Sequence, residues 1–348
     1  MEQPTPPQAP ISPIDALRRI CFLLERGRES SYRIDAFRKT IEAITLISDD
    51  ELRERVEAGT LRQIKGIGDS SAAIIGQAVR GVLPAYLVST EEKHGEPLTR
   101  GGEALYAALR GDLHAHSNWS DGGSPIEEMV LAAVELGQEW MALTDHSPRL
   151  KVANGLSRER LTDQLKRVDA INASLGDSFT LLRGIEVDIH LDGSLDQDDD
   201  MLDRLDVVTA SIHSKLRQPS FEMTPRMVTA VRNPRTNVLA HCTGQLVTGG
   251  RGKRPPSQFD AEKVFRACLE NDVAVEINSR PERCDPPDEL IELARDLGCL
   301  FTIDSDAHAP GQLDMKSLGC ERAERLGIPA ERIVTTWPVD DVRAWAKG

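Results

Sequence analysis

The stretch Gly111-Asp112-Leu113-His114-Ala115-His116-Ser117-Asn118-Trp119-Ser120-Asp121-Gly122 sets two imidazoles and a carboxylate on one short segment. Read as a strand running into a loop, it alternates around Leu113 and Ala115, so His114 and His116 share a face two residues apart. Their ring nitrogens can then converge on one cation. Asp121 follows a Trp-Ser turn, where it can serve a neighbouring ion as readily as the same one. The same residues also fit a strand with two partly exposed histidines and a loop aspartate, so the rest of the chain must decide.

Downstream of Gly111 the sequence alternates strands and helices. Strands are expected near 111–116, 140–144, 181–187, 206–212, 237–241, 273–277 and 300–304, with helical stretches such as 124–136, 157–175, 259–271 and 288–297 between them. That order predicts a parallel sheet closed into a barrel, with functional groups where the strands run out. Six of the seven expected strand ends carry a metal-binding side chain or adjoin one: His114 and His116 with Asp121, then His146, Glu186, His213, His241, and Asp306 with His308. Six of the eight histidines fall there, although a buried neutral imidazole needs hydrogen-bond partners that apolar strand ends do not offer. The clustering therefore points to metal. The donors are nitrogen and oxygen without thiolate, which suits Zn, Mn or Fe.

Upstream, residues 1–13 are rich in Pro and Gln and read as a disordered tail. Residues 14–90 read as a small all-α domain. Ala16, Ile20, Leu23 and Leu24, then Ile34, Phe37, Ile41 and Ile44, recur at helical steps, and a third helix is expected over 49–58. Leu61-Arg62-Gln63-Ile64-Lys65-Gly66-Ile67-Gly68-Asp69-Ser70-Ser71-Ala72-Ala73-Ile74-Ile75-Gly76 then gives a short helix, a Gly-Ile-Gly turn and a second helix. It resembles a helix-hairpin-helix, in which backbone amides at a helix N-terminus hold a DNA phosphate without reading a base. Lys65, Gly66, Gly68 and Ser70 are the expected phosphate contacts. Residues 91–110 read as a linker, with His94 a solvated surface residue.

Composition bounds the possibilities further. The 348 residues suit two globular units, and a formal charge of -14 excludes an extended basic face over the whole chain. Residues 14–90 hold 12 Lys and Arg against 11 Asp and Glu, so the acidity lies elsewhere. No apolar run is long enough to span a membrane and the N-terminus lacks a signal core, so a cytoplasmic protein without membrane association is expected. The six cysteines show no C-x-x-C spacing and read as reduced, mostly buried thiols.

The nine-residue set, with Val152-Ala153-Asn154-Gly155-Leu156, Glu186-Val187-Asp188-Ile189, Glu276-Ile277-Asn278 and Thr336-Trp337-Pro338, resembles the PHP (polymerase and histidinol phosphatase) family over residues 111–346. The similarity is to the C-terminal PHP module of bacterial family X DNA polymerases, whose small N-terminal domain residues 14–90 also resemble. It implies a distorted (β/α)7 barrel behind a helix-hairpin-helix domain. It also implies three divalent metal ions in a row. His114, His116, Glu186 and Asp306 would hold the first; Glu186, His213 and His241 the second, with Glu186 bridging; Asp121, His146 and His308 the third. A water shared by two such ions is acidified and can attack a phosphate ester, so phosphoester hydrolysis follows. Lys215, Arg280 and Arg283, on loops after strand ends, are the cations expected to stabilise the developing phosphate charge. Asp188 and His190 are possible supports, Asp145 reads as structural, and the run Asp196–Asp200 as a solvated loop.

Two absences shape the function. About twenty residues between the hairpin and the barrel cannot hold a polymerase palm, and Ile74 stands where some relatives carry a Schiff-base lysine. Neither polymerisation nor lyase activity is expected. Three roles remain: a 3'-5' exonuclease or 3'-end phosphatase acting on DNA ends in repair, a phosphatase of a small ester in the style of histidinol phosphate, or a noncatalytic DNA- or partner-binding protein with a structural metal centre.

Overall fold

The computed structural model describes residues 8–250 and 252–348, so residues 1–7 of the expected tail lie outside it. The chain divides into two compact units, Glu2–Pro97 and Leu98–Gly348.

The first unit is all helical. Helices α1 (Pro13–Arg26), α2 (Ser31–Thr45), α3 (Asp49–Glu57), α4 (Asp69–Val79) and α5 (Ala85–His94) build it. Ser12 caps α1 by accepting the Asp15 amide, and Ala16, Leu17, Ile20, Leu23 and Leu24 bury one face of it. The expected helix before the hairpin turn is a single 3-10 turn, Leu61–Gln63. Gly66 takes φ +99°, which favours glycine. Thr40 on α2 fixes the turn, donating to the Gly66 carbonyl at 2.9 Å while its hydroxyl lies 2.8 Å from that of Ser71. Lys65, Gly66, Gly68 and Ser70 are all exposed. The first turn of α4 carries Asp69, whose charge opposes an anion at that helix end, and Arg62 pairs with it at 2.7 Å.

In the second unit the elements alternate as α6 (Glu103–Ala108), α7 (Ile126–Glu135), β1 (Trp140–Leu143), α8 (Arg158–Leu175), β2 (Thr180–Asp188), α9 (Asp199–Leu202), β3 (Val207–Ser211) and α10 (Ser220–Val231). They continue as β4 (Val238–Leu239), α11 (Ala261–Glu270), β5 (Ala274–Asn278), α12 (Asp288–Leu297), β6 (Phe301–Asp304), α13 (Lys316–Arg325) and α14 (Val339–Lys347). The sheet order is β1-β2-β3-β4-β5-β6, every pair parallel. No helix among the described residues is long and apolar enough to cross a membrane.

The stretch expected as the first strand, 111–116, is the seventh stave but not a regular strand. Ala115 bridges in parallel to Leu143 on one side and to Ala307 on the other, closing the curled sheet between β1 and the end of β6. Its amides are diverted to side chains: Leu113 to Asp304 at 2.8 Å, His114 to Asp112 at 3.1 Å, and Ala115 to Thr144 at 3.0 Å. A ladder requires backbone acceptors, so only isolated bridges form. Strand β4 is likewise shorter than the 237–241 expected, because His241 leaves the extended region at φ +25°.

Two further expectations need correction. Residues 91–110 are not an open linker: α5 runs to His94, and α6 packs on α13. His94 is not solvated either. Its side chain is only 11% exposed, and Nε2 lies 3.3 Å from Glu29 Oε1.

Period-two alternation then decides what faces the barrel interior. On β2 one parity runs Leu182, Gly184, Glu186, Asp188, and on β5 it runs Ala274, Glu276, Asn278. Their first members pack with Leu113, Trp140, Val207 and Val238 in an apolar plug, closed by Val334 and Val342. The later members are the polar groups at the strands' C-terminal ends. The opposite parity, including Ile185, Val187, Val275 and Ile277, packs in the outer core under the helices. At the plug, a Cβ on Gly111 would lie 2.2 Å from the Trp140 ring. Gly111→Val is therefore expected to destabilise the barrel by about 1–3 kcal/mol through overpacking. Urea unfolding followed by tryptophan fluorescence checks this, and an unchanged midpoint would contradict it.

Candidate metal centre

All nine donors expected from the sequence meet at the C-terminal end of the barrel. Glu186, 1% exposed, is the middle of the group. Its Oε1 lies 3.4 Å from His114 Nε2, 3.2 Å from His213 Nε2 and 2.8 Å from His241 Nε2. Its Oε2 lies 3.7 Å from His116 Nε2 and 2.6 Å from His146 Nδ1. Asp306 Oδ1 approaches His114 and His116 Nε2 at 3.9 and 3.5 Å. Asp121 Oδ1 stands 3.4 Å from His146 Nε2 and 3.3 Å from His308 Nε2.

These separations test whether the residues fit metal ions. Ligands about 2.1 Å from a tetrahedral ion lie about 3.4 Å from one another, longer than most hydrogen bonds. Most of the separations cluster near that edge length. Several of the atoms also lack hydrogen-bond partners although buried: His114 Nε2, both ring nitrogens of His116, and Glu186 Oε2. Unsatisfied buried polar atoms are costly, and their convergence marks a place for cations. Grouped by mutual distance, the donors form overlapping sets: His116, Asp121, His146 and His308; His114, His241 and Asp306; His114, His116 and Glu186; His146, Glu186 and His213.

Surrounding carboxylates orient the rings. Glu276 Oε1 lies 2.6 Å from His114 Nδ1, which directs Nε2 toward Glu186, and Glu276 Oε2 accepts the His241 amide at 2.6 Å. The sequence reading gave Glu276 no role; its place two residues before Asn278, on the inward parity of a strand end, was the available signal. Asp188 accepts the His213 amide at 3.1 Å and stands 3.6 Å from its Nδ1. Asp145 is structural as expected, gathering Ser117, Ser120 and Gln164. His190 meets Arg149 and Asp196, away from the donors. Asp198 and Asp200 pair with Arg158 on the surface. His241 and Asp306 take φ of +25° and +50°, strain of about 1–3 kcal/mol each that accumulates at functional sites.

The three expected cations separate. The Arg283 side chain is 9% exposed, with Nε 3.3 Å from Asp306 Oδ2. Arg280 Nη1 donates to the Asp306 carbonyl at 3.0 Å and lies 3.0 Å from His308 Nδ1. Lys215 differs from both. It is exposed on a turn at φ +55°, without the ion pairs to Asp306 that Arg280 and Arg283 make.

The charge pattern of the donors fits the same picture. Burial acts to raise Glu186, yet His146, His213 and His114 outweigh it and hold the carboxyl well below its usual range. Burial acts to lower His146, but Glu186 and Asp121 reverse this and raise it to about 10. Burial, with His308 and His146 nearby, pushes His116 down to about 3. Burial and Arg283 lower His241. A protonated His146 between Asp121 and Glu186 thus occupies the electrostatic place of a cation.

Comparison with known proteins places residues 112–280 in the PHP domain family. The DNA polymerase/3'-5' exonuclease PolX of Bacillus subtilis is 39% identical over 239 residues, 69% of this chain and 41% of PolX, so the chain spans under half of that relative. A probable phosphatase of Vibrio parahaemolyticus is 26% identical over 242 residues, 65% of this chain and 88% of the phosphatase. Among solved structures, histidinol phosphate phosphatase from Lactococcus lactis, complexed with zinc, L-histidinol and phosphate, is 19% identical with a TM-score of 0.47, covering 63% of this chain and 92% of its own.

Two outcomes follow. Divalent metal must displace the proton of His146, so loading at pH 7 is expected to release protons, and affinity to fall as pH is lowered. Calorimetry in buffers of different ionisation enthalpy reads this, and zero net release would contradict it. Glu276→Gln is expected to weaken metal binding by roughly 10–100-fold by freeing the His114 ring. Titration against a competing chelator measures it, and wild-type affinity would show that Glu276 does not orient the donor.

Proposed function

With a PHP domain at residues 112–280, we propose that this chain is a metal-dependent phosphoesterase acting on DNA 3' ends, as an exonuclease or an end phosphatase. The observation that carries this reading is the convergence of nine nitrogen and oxygen donors, without a thiolate, around Glu186. His114, His116, Glu186 and Asp306 would hold one ion; Glu186, His213 and His241 a second; Asp121, His146 and His308 a third. Divalent ions held so would polarise phosphoryl oxygens and lower the pKa of water.

The chain's own residues supply the rest. Glu276 and Asp188 keep the His114 and His213 rings aimed inward. Arg283 and Arg280, anchored at Asp306, set positive charge where a phosphoryl group enters. The PolX relative and the exposed Gly-Ile-Gly turn favour DNA, with Lys65, Gly66, Gly68 and Ser70 as phosphate contacts. A small phosphate ester is the second reading, favoured by the alignment of the Vibrio phosphatase with 65% of this chain. A complete donor set argues against a noncatalytic role.

Asp306→Ala combined with His308→Ala is expected to lower hydrolysis of 3'-recessed DNA, 3'-phosphate DNA and p-nitrophenyl phosphate by on the order of 100-fold or more. Wild-type rates on all three substrates would overturn the hydrolase reading. Lys65→Glu is expected to raise KM for DNA roughly fivefold, the weight of one phosphate contact. An equal rise in KM for p-nitrophenyl phosphate would remove the hairpin's role in DNA delivery.

A further inference from the structure

The rim of the barrel mouth is electrically lopsided. On one side, the loop after β2 (residues 189–198) holds three aspartates, Asp192, Asp196 and Asp198, and no Lys or Arg. On the other, the loop after β3 (residues 214–219) and the loop after β4 (residues 242–259) contain no Asp or Glu, while Lys215, Arg217, Lys253 and Arg254 lie in them. In a chain of net charge -14 this is the reverse of the average composition.

These loops form one surface. Ser257 donates to the Leu216 carbonyl at 2.7 Å, and Gly244 lies against the Leu216 side chain, where a Cβ would come within 2.7 Å. The Val247 amide bonds the Glu282 carbonyl at 2.9 Å, joining the loop after β4 to the one that carries Arg280 and Arg283. The loop after β3 is also firmly built: buried Arg226 donates to the Ser214 carbonyl and to Gln218 Oε1, each at 2.9 Å. Both loops begin next to metal-site donors, His213 and His241.

Three of the cations on this surface carry side chains without a partner among the described residues, whereas Arg254 donates to the Gly244 carbonyl. Most arginines and lysines of the barrel unit pair with acids, as Arg158, Arg167, Arg183 and Arg235 do. Lys215, Arg217 and Lys253 are exposed, and their side chains have no hydrogen bond or ion pair among the described residues. Leaving exposed cations clustered without counter-charge costs stability through mutual repulsion, and a bound polyanion relieves it.

We propose that the loops after β3 and β4 form a track for the phosphodiester backbone of the nucleic-acid strand whose end enters the metal centre, with Lys215, Arg217 and Lys253 as its phosphate contacts. The proposal rests on the DNA-end reading above. The uncompensated cations of the basic side hold the strand, which fixes the direction in which it leaves the site. A small monoester has no backbone to reach these residues, so the track separates polymeric from small substrates. It also gives Lys215 a role at a distance from the reacting phosphate.

The test is fluorescence anisotropy of a labelled single-stranded DNA with hydrolysis-resistant phosphorothioate linkages at its 3' end, on the full metal-loaded chain, across a salt series. R217E/K253E is compared with wild type and with K166E/K347E, which makes the same charge change on helices α8 and α14. The track predicts that R217E/K253E binds about tenfold or more weaker near 0.1 M salt, with a log Kd against log salt slope shallower by about 0.7 per lost contact. K166E/K347E should track wild type. Equal weakening of the two double variants, or wild-type binding by R217E/K253E, would overturn the track, and matched melting temperatures and metal contents identify misfolding. If the strand binds through these loops but unmodified DNA is not cut, the hydrolase reading fails while the track stands. If DNA is cut and R217E/K253E binds and cuts like wild type, the track fails and the hydrolase reading stands.

Discussion

A carboxylate buried among five imidazoles is the constraint around which this barrel is organised. Glu186 is shielded from water, and burying an unpaired carboxylate is among the most expensive things a fold can do. His114, His116, His146, His213 and His241 surround it, and protonation of some of them or bound cations must balance the charge. A closed parallel sheet meets this requirement because each strand end delivers one or two side chains to a common centre. No single helix or hairpin could gather so many donors around one carboxylate.

The seventh stave shows what that gathering costs the backbone. His114 and His116 stand two residues apart on a stretch whose amides bond Asp304, Asp112 and Thr144 rather than neighbouring carbonyls. Lys316, itself buried, donates to the Gly111 carbonyl at 2.9 Å and lies 3.7 Å from Asp112. Burial, and then the nearby Asp112 and Glu276, push Asp304 well above the usual carboxylate range. Buried charges below the donors thus replace the regular ladder as the means of holding two histidines in place, at the expense of desolvating them.

Much of this was legible in the sequence, for identifiable reasons. Strands buried on both faces read as apolar runs, so β1, β2, β3, β5 and β6 fall close to where they were expected, and a polar residue ending such a run marks the site. Helices α10 and α13 leave weaker marks in the sequence, α10 because Pro225 interrupts its pattern and α13 because Gly319, needed where the helix approaches Ser279, lowers its helical signal. Residues 91–110 read as a linker because α5 ends at Gly95 and α6 is short, and only tertiary packing stabilises so brief a helix. The cations could not be ranked from sequence. Arg280 and Arg283 turn inward because Glu282 and Asp306 draw them, whereas the left-handed turn at Lys215 leads its side chain to the surface. Glu276 went unassigned because a carboxylate that orients a ligand looks, in one dimension, like any other carboxylate at the end of a strand.

The acidic composition and the DNA reading are compatible once charge is resolved by position. Bound cations would offset the carboxylates at the centre, the segment after β2 concentrates acid on one side of the rim, and the loops after β3 and β4 carry none. The account depends above all on cations at Glu186. Anomalous diffraction from crystals of the metal-loaded chain tests that most directly. It should show peaks on both sides of the Glu186 carboxylate, one among His114, His116 and Asp306 and one between His213 and His241, with a third beside Asp121. Density without an anomalous peak within bonding distance of Glu186 would contradict it.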